Sequence, residues 1–276
     1  MAYAFPGDGA LDYFPCRYGD SKLLFRGPRR SLDGAFGVVL GGSETYGKFV
    51  PRPYPALVEA ATGLRMVNLG CMNAGPDLFL NDPAIAEVTG RARLAVVQIL
   101  GAQNMTNRFY AVHPRRNDRF LRATPLLRSM FPDVDFTEFH FTRHMLQTLQ
   151  QVGPARFEVV AEELRSVWRA RMGALLSRLQ GRAVLLWLSD TAPPAAGAPI
   201  DLERDPILVD AAMIASVAPG ARDYVEAVAS AAAREQGLSG MAFSPLDRPA
   251  AAGLPGPAVH AEVAAALAPR IRRLMS

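Results

Sequence analysis

The chain has 276 residues and half of them are apolar, which is enough to fill one large hydrophobic core. The net charge is +4 and no nucleic-acid-binding motif accompanies the basic residues, so a nucleic-acid partner is not expected. Two cysteines are too few for a disulfide framework. No apolar run approaches the roughly 20 residues of a membrane span, and the N-terminus lacks the apolar segment of a signal peptide, so we expect a cytoplasmic protein.

The first 104 residues predict strands and helices in alternation after an irregular start. Residues 1–34 are rich in glycine and proline, which indicates an irregular segment that lies across the surface. Short apolar runs bounded by glycines predict buried strands, and segments that begin near proline or end at glycine predict helices. The strands are predicted at 35–40, 65–69 and 94–100, and the helices at 53–62 and 82–91.

The composition changes after the third predicted strand. Residues 105–153 are rich in arginine, histidine and aromatic side chains, and we interpret them as an insertion with short helices near 117–131 and 137–150. The alternation of strands and helices then resumes. A long amphipathic helix, a fourth strand, a helix, a short fifth strand and a last helix are predicted at 155–180, 183–188, 207–217, 224–229 and 260–275.

Strands and helices in alternation are typical of a parallel sheet with right-handed crossovers. We therefore predict an α/β fold of the flavodoxin-like kind, a three-layer sandwich around a central, mostly parallel sheet of about five strands. Residues 1–276 are expected to form a single domain. The insertion at 105–153 directly follows a strand end, and we expect it to form a lid over a site there.

Polar segments follow the predicted strands at the sheet edge where doubly wound folds bind ligands. Together they supply a hydroxyl, a flexible backbone, side-chain amides and an imidazole, which are the groups that acyl transfer needs. The segments are Gly41-Gly42-Ser43-Glu44-Thr45-Tyr46-Gly47, Asn68-Leu69-Gly70, Gly101-Ala102-Gln103-Asn104 and the loop at 255–260.

These segments resemble, in order, the sequence blocks of the SGNH (GDSL-like) hydrolases. The first is similar to the G-D-S-x-T-x-G block, with Gly42 where that family has aspartate. The second contributes Gly70, and the third has Gln103 and Asn104 where the family has asparagine and aspartate. His260 is similar to the histidine of the last block. Separately, the N-terminal half resembles a bacterial domain family of unknown function, which assigns no activity.

The resemblance implies an SGNH-type esterase or O-acyltransferase that acts on a small-molecule or carbohydrate ester. It implies that Ser43 is the nucleophile and that His260 is its base. The backbone N–H groups of Ser43 and Gly70, with the side-chain amide of Gln103 or Asn104, would then bind the oxyanion. No cofactor is expected for this chemistry.

The last block departs from the family pattern, because Pro257 stands where the family has an acid three residues before its histidine. Asp190 or Asp247 from another loop, or a backbone carbonyl, are the alternatives for orienting the ring of His260. Together with the substitutions in the other blocks, this departure supports a second hypothesis. In that hypothesis the chain is a catalytically inactive binding or assembly protein on the same scaffold.

Each predicted site residue also has a structural interpretation. Ser43 is placed to cap the helix that follows, and His260 is placed to cap a helix or to lie in solvent. Gly70 could serve a turn, and Gln103 and Asn104 could hold the insertion in place.

The insertion brings cations next to the predicted site. The candidate substrate-binding residues are Glu44, Arg108, Arg115, Arg116 and Arg143, and the arginines would attract an anionic substrate. The alternatives are a solvated helical face with internal Arg–Asp pairs, or a surface between the subunits of a homo-oligomer.

Two histidines of the insertion have a spacing that can face one metal ion. His140 and His144 are four residues apart, but Phe141 stands where the corresponding metalloprotease motif has glutamate. We therefore predict no metal site.

Overall fold

The computed structural model describes residues 9–276, which contain seven strands. They are β1 (Phe36–Leu40), β2 (Arg65–Asn68), β3 (Leu94–Gln98), β4 (Tyr110–His113), β5 (Arg116–Ala123), β6 (Ala183–Ser189) and β7 (Asp223–Val228). Five of these form one sheet in the order β2-β1-β3-β6-β7, and each neighbouring pair is parallel. The predicted parallel sheet is confirmed.

Helices connect the strands. They are α1 (Ser43–Tyr46), α2 (Tyr54–Thr62), α3 (Pro76–Leu80), α4 (Pro83–Arg91), α5 (Pro125–Met130), α6 (Thr142–Val152), α7 (Pro154–Arg178), α8 (Ala211–Val217), α9 (Ala231–Glu235), α10 (Arg248–Ala252) and α11 (Pro257–Met275). No helix of the described residues is long and apolar enough to cross a membrane.

The sheet has an apolar core on each face, because successive strand residues point to opposite sides. Val38 packs into one core and Val39 into the other, and both are almost completely buried. Helices α2 and α11 pack together over the second core, and α3, α4 and α7 contribute buried side chains to the first. The α/β architecture with helices on both faces of the sheet is therefore as predicted.

The insertion differs from its prediction in its first half. Residues 116–123 form a strand, and β4 and β5 pair as an antiparallel hairpin where we expected a helix. Phe120 of this hairpin packs against the rings of Phe136 and Phe139. These tertiary contacts stabilise the hairpin. The sequence pattern does not predict them, because they are made by one aromatic residue in a charged segment.

The last helix begins earlier than predicted, at Pro257, because proline is well suited to the first position of a helix. His260 therefore lies within the helix and not in the loop that precedes it.

The described part of the N-terminal segment is irregular, as predicted, and residues 1–8 lie outside the described residues. Its buried Arg26 donates hydrogen bonds to the carbonyl groups of Tyr46, Gly47 and Pro51. These bonds fix the chain that follows α1.

We predict that the Trp168→Phe variant is less stable than the wild type by about 1–3 kcal/mol. The buried indole of Trp168 donates its Nε1–H to the carbonyl oxygen of Leu100 at 2.7 Å, and phenylalanine would leave that carbonyl without its partner. Urea unfolding followed by circular dichroism measures the difference. Val159→Ala, an exposed change on the same helix, is the control and should shift stability by less than about 0.5 kcal/mol.

Candidate functional site

A cavity of about 460 Å³ opens at the carboxyl edge of the sheet. The segments that follow β1, β3 and β6 line it, and the insertion contributes a further part of its lining. Strands β1 and β3 are neighbours, and the chain continues from β1 to β2 on one side and from β3 to β6 on the other side. The cavity therefore lies at the switch point, where parallel α/β sheets bind their ligands. Its volume is within the usual range for small-molecule sites.

Gln98, at the end of β3, holds the loop that follows β1. Its Oε1 accepts hydrogen bonds from the Gly42 N–H at 3.0 Å and from Thr45 Oγ1 at 2.6 Å. Its Nε2 donates to Glu44 Oε2 at 2.9 Å. The close approach requires glycine at position 41, since a Cβ there would lie 2.0 Å from Thr45 Oγ1. Gln98 thus fixes both residues that flank Ser43.

Ser43 begins α1 and its hydroxyl is held by Asn73. Ser43 Oγ donates to Asn73 Oδ1 and accepts from the Asn73 backbone N–H, both at 3.1 Å. Asn73 Nδ2 in turn donates to Asp118 Oδ2 at 3.0 Å. Asn73 has a φ of +54°, a left-handed conformation that asparagine adopts more readily than most residues. The backbone N–H of Ser43 has no hydrogen-bond partner within residues 9–276.

Glu44 also lines the cavity. Burial raises the pKa of its carboxyl group, and the nearby Asp205 carboxylate raises it further. The hydrogen bond from Gln98 and the charge of Arg143 oppose this effect. The carboxyl group is thus held in surroundings that favour its neutral form more than water does.

The insertion reaches the cavity through the start of α6. Thr142 Oγ1 donates to Asn104 Oδ1 at 2.7 Å, and Asn104 Nδ2 donates to the Asn73 carbonyl at 3.1 Å. Arg143 forms an ion pair with Asp205 and donates to the Leu202 carbonyl. Phe141, Thr142, Arg143, His144 and Gln147 of this segment line the cavity together with Asp118 of β5.

His144 is the imidazole that lies in the same cavity as Ser43. Its ring packs edge-on against Phe139, with 5.1 Å between the ring centroids. In the described part of the chain, neither of its ring nitrogens has a hydrogen-bond partner. The residue is exposed, so its ring is open to a ligand in the cavity.

The structure corrects the prediction that His260 is the base of Ser43, because His260 does not line the cavity that contains Ser43. His260 is 1% exposed, stacks on the ring of Tyr54 and accepts the Tyr54 backbone N–H at Nδ1, 3.0 Å away. It also hydrogen-bonds the backbone of Pro255, and among the described residues neither Asp190 nor Asp247 contacts it. Burial, with the charge of Arg26 added, lowers its pKa to about 3. Its role is to join α11 to α2.

The predicted oxyanion donors have different surroundings. The Gly70 N–H donates to Asn68 Oδ1 at 2.9 Å, and the Asn104 amide donates to the Asn73 carbonyl. Contrary to our expectation, both donors are thus already used within the protein. Gln103 lines the cavity, is 7% exposed, and neither its Nε2 nor its Oε1 has a hydrogen-bond partner among residues 9–276. Because Oε1 can only accept, the Ser43 N–H and Gln103 Nε2 are the predicted donors that are left for a ligand.

The structure places three of the four candidate arginines outside the lining of this cavity. Arg108 pairs with Glu163 at 3.0 Å and lies over the ring of Phe109. Arg115 and Arg116 are exposed at the turn between β4 and β5. The positions of these three side chains therefore do not support the prediction that they attract an anionic substrate. Of the four arginines Arg143 alone lines the cavity, and it is paired with Asp205.

Gln98, Asn73 and Asp118 belong to the site and were missed by the sequence analysis. Gln98 did leave a signal, because it is the one amide in the apolar run of the third strand. Asp118 lies in the charged insertion, and nothing in the sequence marks Asn73. Within residues 9–276, no group of histidine, cysteine and acidic side chains is arranged to hold a metal ion.

Comparisons with known proteins place the chain in a sequence family but assign no activity. The sequence model described as "Domain of unknown function (DUF6473)" matches residues 1–275, which extends the predicted likeness to a family of unknown function beyond the N-terminal half. No curated protein matches the chain.

One similar solved structure is a carbohydrate esterase family 2 (CE2) enzyme with a carbohydrate-binding domain, from Corynascus thermopiles (Myceliophthora fergusii). It is 14% identical, has a TM-score of 0.44, and the match covers 91% of this chain and 69% of that chain.

We predict that His260→Gln lowers stability at pH 7 and that its difference from the wild type shrinks in acid. The folded-state pKa is about 3 and the ordinary value is 6.5, so between these pH values the unfolded chain binds a proton that the folded chain does not. The wild type therefore loses up to about 1.4 kcal/mol per pH unit from this group as the pH falls.

Urea unfolding of the wild type and of His260→Gln from pH 7 to pH 3.5 measures this change, and His140→Gln, at an exposed position, is the control. A difference between the wild type and His260→Gln that stays constant with pH would contradict the prediction.

Proposed function

The chain belongs to the DUF6473 family, and we propose that it is an acyl-transfer enzyme, an esterase or O-acyltransferase with Ser43 as nucleophile. The observation that carries the proposal is the position of the Ser43 hydroxyl. It lies in a cavity at the switch point of a parallel sheet, and Gln103, whose Nε2 can donate a hydrogen bond, lines the same cavity.

Acyl transfer at this site would proceed by attack of Ser43 Oγ on an ester carbonyl. The carbonyl oxygen becomes an oxyanion, which the Ser43 N–H and Gln103 Nε2 are available to bind. Water would then release the acyl group in an esterase, whereas a hydroxyl of an acceptor would take it in an O-acyltransferase.

The lining of the cavity favours a substrate rich in hydroxyl groups. Among the groups that line it, the amides of Gln103 and Gln147 and the carboxyl groups of Glu44 and Asp118 can bind hydroxyls as donors or acceptors. Phe141 is an exposed aromatic ring that lines the cavity, with the Arg119 guanidinium 4.4 Å from its ring centre. These groups suit a carbohydrate ester better than an anionic substrate.

The site has space for two parts of a substrate. A second cavity, of about 550 Å³, adjoins the first, and Glu44, Leu188 and Asp205 line both. An ester has an acyl part and an alcohol part, and two adjoining cavities can hold one part each.

A second candidate function is binding without catalysis. It is favoured by the two hydrogen bonds of Ser43 Oγ, which both go to Asn73, an amide that cannot act as a base. In this function the same cavity would hold a hydroxylated ligand, and Ser43 would be one of its polar contacts.

We predict that a fluorophosphonate probe labels the wild type at Ser43 and that Ser43→Ala abolishes the labelling. The probe reacts with a serine whose hydroxyl is activated, and the alanine variant lacks the attacking oxygen. Intact-mass and peptide mass spectrometry locate the label. Ser129→Ala, at an exposed serine of α5, is the control and should be labelled as the wild type is.

An unlabelled wild type would contradict acyl transfer at Ser43. The binding function would then be supported if a panel of sugars raised the melting temperature of the wild type and, by a smaller shift, that of Ser43→Ala.

A further inference from the structure

We propose that His144, from the insertion, is the base that takes the proton of Ser43. This inference rests on the proposed acyl transfer and adds the base that His260 does not provide. His144 and Ser43 line the same cavity, although they lie about 100 residues apart in the sequence.

A chain of hydrogen bonds fixes the helix of His144 relative to Ser43. Thr142, two residues before His144, donates to Asn104, which donates to the Asn73 carbonyl. Asn73 holds the Ser43 hydroxyl from both sides. The start of α6 is thus joined to the nucleophile through two side-chain amides, and the imidazole is carried by an ordered element.

The other titratable groups of the cavity are less suited to the role. Glu44 follows Ser43 directly in α1, and adjacent helical side chains do not face each other. Asp118 is linked to Ser43 only through the Asn73 amide. Asp205 and Arg143 are paired with each other. Among these groups, within the described residues, His144 is the one whose side chain has no hydrogen bond or ion pair.

Among the described residues Ser43 Oγ is bound to Asn73 alone, so the step requires the exposed His144 side chain to turn until a ring nitrogen lies within hydrogen-bond distance of that oxygen. The hydroxyl proton, now directed at Asn73 Oδ1, would then turn to that nitrogen. As the proton moves to the imidazole, Oγ forms a bond to the ester carbonyl carbon. The imidazolium then returns the proton to the alcohol oxygen as the ester C–O bond breaks, so His144 ends unchanged. With a fluorophosphonate, Oγ bonds to phosphorus, fluoride leaves, and the proton stays on His144.

The test measures the rate at which a fluorophosphonate labels Ser43 in the wild type, His144→Ala and His140→Ala. His140 is exposed in the same segment but does not line the cavity, which makes it the matched control. We expect His144→Ala to slow labelling by about 10²-fold or more, and His140→Ala to leave it unchanged. Added imidazole should restore a part of the rate in His144→Ala only.

The inference is overturned if Ser43 is labelled equally fast in the wild type and in His144→Ala, an outcome that leaves the proposed function standing. An unlabelled wild type would instead refute the proposed function, and this inference with it. Slow labelling that imidazole does not restore, in a variant with wild-type circular dichroism, also counts against His144 as the base.

Discussion

The hydrogen bonds of Asn73 are the interaction on which the rest of the site depends. Its backbone and side chain hold the Ser43 hydroxyl, its Nδ2 binds Asp118 of the insertion, and its carbonyl accepts the amide of Asn104. Three separate segments of the chain therefore meet at one residue. Close packing supports this arrangement, because Gly75 lies against the Asn104 carbonyl so closely that a Cβ there would approach it to 1.8 Å.

Burial prevents the His260 imidazole from serving as a proton acceptor. His260 has its Nδ1 bound to the Tyr54 N–H and its pKa lowered to about 3, so charging it would cost the fold stability. A base must accept a proton and return it within each cycle, and a histidine that joins two core helices cannot do so without loosening them. His144, in an open cavity, has no such constraint.

Most of the fold could be predicted from the sequence, because apolar runs that end at glycines identify buried parallel strands. The hairpin of β4 and β5 could not, since Phe120 gains its stabilising contacts from residues outside the hairpin. Ser43 and Gln103 were predicted as site residues from motif order, and both line the cavity. His260 was not assigned correctly, because motif order gives the position of a histidine in the chain but not the direction of its ring.

The insertion forms part of the site. Asp118 and the start of α6 lie against the loops that follow β1 and β3, and Arg143 ties the insertion to the segment that follows β6. In the proposed function the sheet would supply the nucleophile, and the insertion would supply the groups that make it reactive and select its substrate.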